Sequence, residues 1–357
     1  MARLFIETLT RMGHDVTVLS QLRSYNPEGD PGREQQVAAD AKQEIEHLTQ
    51  SWQKDASARP DLLFTYHVYH KAADYLGPQL KARFGLPYII AEPSVAPKRA
   101  AGRWAAGYRQ AGTAIKMADA LLAITTLDRA CLASFAGAGK VIPFPPFLDP
   151  APFALAAAAR DESRSRLAGQ YRLAEDQPWL LAVGMMRPGD KLASFKRLAE
   201  TLQLASDQPW QMLIAGDGPE RQSIEAAFAP MGNRVCFLGQ MAGERLAGLY
   251  AACDLYVWPA VNEAYGMALL EAQSAGLPVL SVSTRGVPDI VIHGETGWLT
   301  GNDQPSTLHG GLQDMLADRT RLAGMSNAAK IRVARHLSIT AAQERLASVF
   351  VRLGLTA

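Results

Sequence analysis

Two glutamates eight residues apart, Glu263 and Glu271, lie on either side of Gly266. An apolar run at 255–258 precedes them, and a short polar loop leads into a helix-like pattern that begins near Gly266. Ligands of open α/β sheets bind at the carboxyl ends of strands, which is where such a loop lies. Free backbone N–H groups at a helix start bind phosphate oxygens, and a glycine there lets an anion come close. Because a carboxylate accepts hydrogen bonds from paired hydroxyls, the pattern predicts a site for a phosphate and for sugar or ribose hydroxyls.

An isolated pair of glutamates at this spacing has a second interpretation, as two solvated side chains on a helix face. The neighbouring residues favour the interpretation as a binding site. The pattern Trp-Pro-x-x-Asn-Glu-x-Tyr-Gly contains Glu263, and Gly-Leu-Pro-Val follows at 276–279.

This segment resembles the signature of the family 4 glycosyltransferases, a group of retaining enzymes with the two-domain GT-B fold. Their pattern is a Glu, any residue, an aromatic residue, Gly, and a second Glu eight positions after the first. The resemblance implies that Glu263 contacts the transferred sugar and that Glu271 holds the ribose hydroxyls of a nucleotide-sugar. It also implies contacts to the diphosphate or the sugar from the backbone near the helix start, at Ala264, Tyr265, Gly266 and Met267.

Further motifs of the family follow one another across residues 178–300. Gly184 ends a run that is similar to the family's first strand and turn. Gly239 and Gln240 lie where the nucleotide base binds in the family. Three other stretches complete the resemblance, at 215–219, 284–291 and 294–297.

The chain departs from the family where positive charge is expected. Family members usually carry Arg directly after the first glycine and Lys a few residues later, and both neutralise the leaving diphosphate. Here Met185 follows Gly184, and Arg187 and Lys191 come further along. Because charge develops on the diphosphate as it leaves, we expect Lys191 to contact it and Arg187 to substitute for the missing neighbour. The alternative is that both are solvated surface cations.

Short apolar runs without polar alternation indicate parallel strands that helices cover on both faces. In the first half they lie at 16–19, 62–65, 88–91 and 120–124, and in the second half at 180–183, 212–215, 235–238, 255–258 and 279–282. Helical patterns alternate with them, including 3–12, 154–168 and 338–353. The sequence therefore predicts an α/β fold of two Rossmann-like, doubly wound parallel-sheet domains, which in the GT-B arrangement face a central cleft.

A proline-rich stretch at 143–152 predicts the linker, because proline disfavours helix and disrupts strand pairing. We expect an acceptor-side domain at 1–147 and a nucleotide-sugar donor-binding domain at 148–335. The segment 336–357 is expected to form a C-terminal helix that packs back towards the first domain.

The start of the chain differs from the family. Family members begin with a strand and a glycine-rich loop that lead into the helix predicted at 3–12. That strand lies at the centre of the common sheet order, so its loss leaves two neighbouring strands with unpaired backbone groups. The expectation is that Met1 is an internal methionine of a longer protein or that the chain is truncated.

A polar aromatic cluster follows the strand predicted at 62–65. By position, His67 matches a family histidine near the sugar, and a neutral imidazole there hydrogen-bonds a hydroxyl. The alternative is a histidine that caps the next helix. Glu92, with Lys98 and Arg99, follows the next strand and either lines an acceptor site or forms surface ion pairs.

Composition narrows the class of protein. A net charge of +1 over 357 residues is unlike that of a dedicated nucleic-acid binder. No apolar run reaches 18 residues and the start lacks a signal-peptide pattern, so we expect a cytoplasmic protein, with peripheral association at the inner membrane face left open. The three cysteines, Cys131, Cys236 and Cys253, are expected to be small buried side chains. The histidines form no metal-binding pattern, and the resemblance implies neither a metal nor another cofactor.

The leading hypothesis is a hexosyltransferase-type enzyme of glycan or glycoconjugate biosynthesis. It transfers a sugar from a nucleotide diphosphate-sugar to an acceptor hydroxyl with retention, and Glu263, His67 and Lys191 are its catalytic candidates. The acceptor is left open among a glycan, a lipid-linked molecule and a small metabolite. One alternative is a catalytically silent nucleotide-sugar binding protein or a truncated gene product. Another is a related GT-B enzyme, such as a phosphorylase or an epimerase.

Overall fold

The computed structural model describes residues 1–355, which divide into two compact units. The first unit comprises Met1–Pro145 and the final segment from Gln343 onward, and the second unit comprises Pro146–Ala342. Of the C-terminal segment expected to return to the first domain, only the part from Gln343 onward belongs to the first unit.

The first unit is built on a four-stranded parallel sheet in the order β1-β2-β3-β4. Its strands are β1 (Leu63–Tyr66), β2 (Tyr88–Ala91), β3 (Ala120–Ala123) and β4 (Val141–Pro143). Its helices up to Pro145 are α1 (Ala2–Arg11), α2 (Pro31–Lys54), α3 (Gly77–Phe84), α4 (Ala105–Met117) and α5 (Thr126–Ala136). Every residue of β2 and β3 is buried, as expected for strands with helices on both faces.

The segment 16–19 is not a strand, contrary to the sequence prediction. Its apolar composition favours a strand, but a strand also needs a neighbour for its backbone groups. No described residue forms a ladder with it, and the Val18 side chain is 60% exposed. Leu19 only packs against the rim of the core of this unit. The three-residue strand β4 was missed, because it runs into the proline at 143 that predicts the linker.

Local signals explain where the helices of the first unit begin and end. The Asp30 carboxylate accepts a hydrogen bond of 2.6 Å from the backbone N–H of Arg33 and so caps α2, whose first residue is Pro31. Thr125 caps α5 in the same way, and Gly85, in the left-handed region at φ 69°, ends α3.

The second unit contains a six-stranded parallel sheet in the order β10-β9-β8-β5-β6-β7. Its strands are β5 (Trp179–Val183), β6 (Gln211–Ala215), β7 (Val235–Gly239), β8 (Leu255–Trp258), β9 (Val279–Val282) and β10 (Gly297–Thr300). The helices are α6 (Ala151–Ala158), α7 (Arg160–Tyr171), α8 (Asp190–Leu204), α9 (Arg221–Phe228), α10 (Gly243–Ala252), α11 (Met267–Ser274), α12 (Val287–Ile290), α13 (Pro305–Ala317) and α14 (Arg319–His336), followed by α15 (Ile339–Arg352), which crosses into the first unit. This sheet is doubly wound, because the chain adds strands on one side of β5 and then on the other.

Two predictions within the second unit differ from the structure. The helix predicted at 154–168 is two helices that meet at Ala159. The bend brings the Arg160 guanidinium to the carbonyl of Cys253 and, at 2.6 Å, to the carboxylate of Asp254. The edge strand β10 was missed, because its apolar signal is limited to Trp298 and Leu299.

Cys131 is exposed on α5, contrary to the expectation of a buried side chain, whereas Cys236 is half-buried and Cys253 is buried. Within residues 1–355, no helix combines the length and the apolar character that crossing a membrane requires.

Candidate functional site

The candidate site of the second unit lies at the point where the strand order reverses. β5 and β8 are parallel neighbours, with Leu181 in register with Tyr256, so their carboxyl ends lie side by side. β5 leads into Gly184, and β8 leads into the loop that carries Glu263. In doubly wound sheets the crevice at such a switch point is where ligands bind.

Lys191 and Glu263 meet in this site as a direct ion pair. The Lys191 Nζ atom lies 2.5 Å from Glu263 Oε2, and the two side chains are only 19% and 15% exposed. The indole N–H of Trp258 donates to the same oxygen over 3.2 Å, and the Lys191 ammonium lies 5.1 Å from the centre of that ring. The structure thus brings together the cation and the carboxylate that the sequence placed 72 positions apart.

The loop between β8 and α11 is held in an unusual backbone conformation. Ala260 and Asn262 adopt positive φ angles of 54° and 51°, which cost free energy for residues with a Cβ. Contacts to α8 stabilise the loop. The backbone N–H of Val261 donates to Ser194 Oγ over 3.0 Å, and Asn262 Nδ2 donates to Asp190 Oδ2 over 2.9 Å. The same helix therefore fixes both Lys191 and the loop that carries Glu263.

Gly266 forms the start of α11. It adopts φ 80°, and a Cβ there would lie 3.0 Å from the Leu269 side chain and 3.3 Å from Glu263 Cγ. A larger residue would be strained and would displace Glu263. The first N–H groups of a helix have no intrahelical partner, so the start at Met267 offers donors to an anion. Ala264 is exposed, and its carbonyl accepts from the Gly286 N–H over 2.9 Å. Tyr265 packs against the core.

Glu271 lies one and a half turns inside α11 and is the half-buried acid of the site. The fully buried Tyr250 hydroxyl donates to Glu271 Oε2 over 2.8 Å. Burial raises the pKa of the Glu271 carboxyl above its ordinary value, and the hydrogen bond from Tyr250 acts in the opposite direction. The sequence analysis missed Tyr250 and Trp258 as partners of the two glutamates. Trp258 precedes Glu263 closely in sequence, but no sequence signal singles out Tyr250.

The loop after β5 is shaped by contact with a second glycine-rich loop. A Cβ at Gly216 would lie 1.9 Å from the Gly184 carbonyl oxygen, and one at Gly218 would lie 2.4 Å from that of Met186. Both glycines therefore permit two backbones to touch. The Met186 N–H donates to the Asp217 carbonyl over 2.9 Å, which closes the contact.

The remaining candidate residues are exposed to solvent or lie further from Lys191 and Glu263. Arg187 is exposed, and no carboxylate among residues 1–355 lies within ion-pair distance of it. Gly239 ends β7 with φ 69° and Gln240 beyond it is exposed. Because β7 is an edge strand two places from β5, Gly239 and Gln240 are further along the sheet than Lys191 and Glu263.

In the first unit, His67 pairs with Glu92. The two residues follow neighbouring strands, β1 and β2, and both adopt positive φ angles, 64° and 55°. His67 Nδ1 lies 3.0 Å from Glu92 Oε1, and the Tyr66 hydroxyl donates to Glu92 Oε2 over 2.6 Å. The Asp74 carboxylate accepts from the N–H groups of Leu76 and Gly77 at the start of α3, so Asp74 rather than His67 bonds the first backbone donors there. The sequence analysis considered Glu92 together with Lys98 and Arg99, and it missed the pairing with His67.

A family model described as glycosyl transferases group 1 matches residues 163–332. The chain is similar to this family over that segment, which is just under half of its length. A sulfoquinovosyl transferase of Arabidopsis thaliana is 36% identical over 107 residues, which are 29% of this chain and 21% of that protein. The matched stretch thus spans about a fifth of the length of this curated relative.

Solved structures match nearly the whole chain. A glycosyltransferase from Rickettsia africae superposes with a TM-score of 0.77 at 13% identity, covering 99% of this chain and 95% of that one. The Anabaena protein HepE in complex with UDP-glucose gives a TM-score of 0.66 at 18% identity, covering 87% and 82%. At these identities the likeness establishes the fold. It confirms the prediction of a GT-B type α/β fold with two parallel-sheet domains.

Proposed function

We propose that the protein transfers a sugar from a nucleotide diphosphate-sugar to an acceptor hydroxyl, with retention of the anomeric configuration. The observation that carries the proposal is the meeting of Lys191, Glu263 and the start of α11 at the switch point of the second sheet. This arrangement places a cation, helix N–H donors and a carboxylate within one small region, which suits a sugar attached to a diphosphate.

Lys191 and the start of α11 bind the diphosphate in this proposal. As the bond between the sugar and the diphosphate breaks, negative charge grows on the leaving group. A preorganised ammonium and fixed N–H donors stabilise that charge without having to reorient. Arg187 is exposed at the start of the same region and supplies a second cation. We propose that these groups, rather than a metal ion, neutralise the leaving group.

Glu263 binds the sugar, and Glu271 binds the ribose. In the structure Lys191 neutralises Glu263, so the pair holds both groups in place before the donor arrives. A sugar hydroxyl that donates to Glu263 then takes a position next to the diphosphate held by Lys191. Glu271 is held by Tyr250 through one oxygen, and its other oxygen remains for the paired hydroxyls of the ribose.

In the first unit, His67 binds a hydroxyl. Glu92 accepts a hydrogen bond from His67 Nδ1, which assigns the proton to that nitrogen and leaves Nε2 as an acceptor. The protein thus positions its substrates and stabilises charge, while the departing diphosphate takes the proton of the acceptor hydroxyl. The likeness to a UDP-glucose complex supports a nucleotide-sugar as the donor.

The test is incubation of the full chain with a panel of UDP-, GDP- and ADP-sugars. Thermal shift reports binding, release of the free nucleotide reports hydrolysis or transfer, and proton NMR of the product reports the anomeric configuration. We expect at least one donor to stabilise the protein and to be consumed with retention. Donor-dependent stabilisation with neither transfer nor hydrolysis would favour the silent binding protein, and an inverted product would contradict the retaining mechanism.

A further inference from the structure

Three cations surround one half-buried indole in the first unit. The guanidinium carbons of Arg99 and Arg103 each lie 4.1 Å from the centre of the Trp104 ring, and Lys71 Nζ lies 5.2 Å from it. His70 contacts the same ring edge-on, with 5.8 Å between the ring centres. We call these residues, together with Lys98, the Trp104 cluster.

Two polar atoms of the Trp104 cluster are buried without a hydrogen-bond partner among residues 1–355. They are Arg99 Nε and His70 Nε2. Burial lowers the pKa of His70, and the nearby charges of Arg99, Lys71 and Lys98 lower it further, so the imidazole is neutral. Native structures rarely leave buried polar groups unpaired, and a bound ligand is one way in which such groups are satisfied.

The positive charge of the cluster is largely uncompensated. Among the described residues, no carboxylate forms an ion pair with Lys71, Lys98 or Arg99. Arg103 does have a partner, Glu28, at 3.4 Å. Both of those side chains are more than half exposed, so solvent screens that pair strongly.

The backbone around the cluster is fitted closely enough to hold it in place. A Cβ at Gly29 would lie 2.5 Å from the Arg103 carbonyl oxygen and 2.9 Å from Trp104 Cδ1. A Cβ at Gly107, in the first turn of α4, would lie 2.2 Å from the His70 carbonyl oxygen. The Trp104 indole N–H also donates to the Pro27 carbonyl over 3.2 Å. The indole and the imidazole are therefore fixed by packing rather than free on the surface.

We propose that the Trp104 cluster binds a phosphate monoester, and that this phosphate belongs to a small acceptor molecule. Two guanidinium groups and an ammonium match a dianion with three terminal oxygens better than they match a single carboxylate. Arg99 Nε gains its missing acceptor when the phosphate binds. The assignment to the acceptor rests on the proposed function.

A chain of ring contacts connects the cluster with His67. Tyr69 lies 4.6 Å from His67 and 5.5 Å from His70, measured between ring centres, and His70 in turn contacts Trp104. Three successive ring contacts therefore link the cluster with His67 inside the first unit.

The experiment is a calorimetric titration of the full chain at constant ionic strength. Glucose 6-phosphate is the probe, and glucose is its uncharged control. The variants are Arg99→Gln and Lys71→Gln, which remove cluster cations. Arg59→Gln removes an exposed cation of the same unit outside the cluster, and Lys191→Gln removes the donor-site cation. Circular dichroism and melting temperature confirm that each variant is folded.

We expect wild type to bind glucose 6-phosphate and not glucose. Arg99→Gln and Lys71→Gln should each weaken binding about tenfold or more, which is the effect of losing one charge-assisted contact. Arg59→Gln and Lys191→Gln should leave it unchanged. Equal affinity in wild type and Arg99→Gln, an equal loss in Arg59→Gln, or no binding to wild type would overturn the proposal.

Two further arms separate the possible sources of failure. Binding to phosphatidylglycerol vesicles that Arg99→Gln abolishes, without any binding of glucose 6-phosphate, would assign the cluster to a lipid surface and refute a small acceptor. UDP titrated into the same variants should bind Arg99→Gln as it binds wild type. If no nucleotide binds to wild type while glucose 6-phosphate does, the proposed function fails and the phosphate site remains.

Discussion

Replacing Lys191 with glutamine separates the stability of the proposed donor site from its chemistry. The variant Lys191→Gln keeps a side chain of similar length and removes the charge that faces Glu263 at 2.5 Å. Glu263 would then keep the Trp258 N–H as a partner but lose its counter-ion. The exposure of the pair sets the expected loss of stability, and the loss of a preorganised charge sets the expected loss of kcat.

The stability cost should be moderate. Surface ion pairs contribute about 0–1 kcal/mol, and removing one partner of a fully buried pair costs about 3–5 kcal/mol. With side chains 19% and 15% exposed, this pair lies between the two limits. We expect the free energy of unfolding to fall by about 1–2 kcal/mol, which corresponds to a melting temperature lower by about 2–8 °C for a domain of this size.

The catalytic cost should be larger than the stability cost. Removing one preorganised group that stabilises charge in a transition state lowers kcat by about 10²–10³-fold. Steady-state release of nucleotide from the active donor measures this loss at a temperature where the variant is fully folded. Lys196→Gln is the matched control, because Lys196 is an exposed cation on the same helix, and its kcat should stay within about twofold of wild type.

A double-variant cycle completes the test. Glu263→Gln, Lys191→Gln and the double variant should show a coupling energy in unfolding of about 0.5–3 kcal/mol, as expected of residues in direct contact. If Lys191→Gln retained wild-type kcat while its melting temperature fell, Lys191 would only stabilise the loop and its role in transfer would be refuted.

Four further predictions concern protonation, acceptor binding and metal dependence. First, nucleotide affinity should weaken as pH falls through the raised pKa of Glu271, because the protonated carboxyl accepts the ribose hydroxyls poorly. Calorimetry across pH should show this loss of affinity at low pH, the acidic limb of the profile, in wild type. Glu271→Gln should bind weakly at every pH. Second, Tyr250→Phe removes a hydrogen bond that stabilises the carboxylate, so the acidic limb should move to higher pH, and an unmoved limb would mean that Tyr250 serves packing alone. Third, Glu92→Gln should lower kcat/KM for the acceptor about tenfold while leaving donor affinity unchanged, because it loosens His67 and Tyr66, which belong to the first unit; a loss of donor affinity instead would contradict this placement. Fourth, turnover should persist after dialysis against EDTA, and a loss that added Mg²⁺ restores would show that a metal neutralises the leaving group.

Most of the second sheet could be predicted because its four central strands, β5, β6, β8 and β9, are almost entirely buried. Runs such as Leu255–Trp258 and Val279–Val282 read as continuous apolar segments, and the structure confirms both as strands with the predicted bounds. The strand–loop–helix that carries Glu263 and Glu271 follows from the same pattern, since an apolar run that ends at Pro259 forces a loop before the next helix.

The secondary-structure predictions that failed concern segments whose structure depends on neighbouring elements, which a local sequence pattern does not reveal. Residues 16–19 have the composition of a strand but no strand to pair with among residues 1–355. β4 and β10 are short strands at the edges of their sheets, where less burial is needed and the apolar signal is weak. The break at Ala159 goes together with the contact between Arg160 and the end of α10, which lies 91 residues further along the chain.

The sequence alone also could not predict which side chains of the candidate sites pair with each other. His67 and Glu92 are brought together because β1 and β2 are parallel neighbours whose carboxyl ends meet. Tyr250 reaches Glu271 because α10 and α11 pack against each other. The sequence identified His67 and Glu92 separately, and Glu271 without Tyr250, and only the packing of elements identified the two pairings.

The most direct test of the central claim is calorimetric titration of UDP, GDP and ADP into wild type and Glu271→Gln. At least one of these nucleotides should bind wild type, and Glu271→Gln should bind it about tenfold more weakly or worse, because the ribose loses its charged acceptor. Binding of equal strength to both proteins, or no binding of any of the three nucleotides to wild type, would contradict a nucleotide site at the switch point of the second sheet.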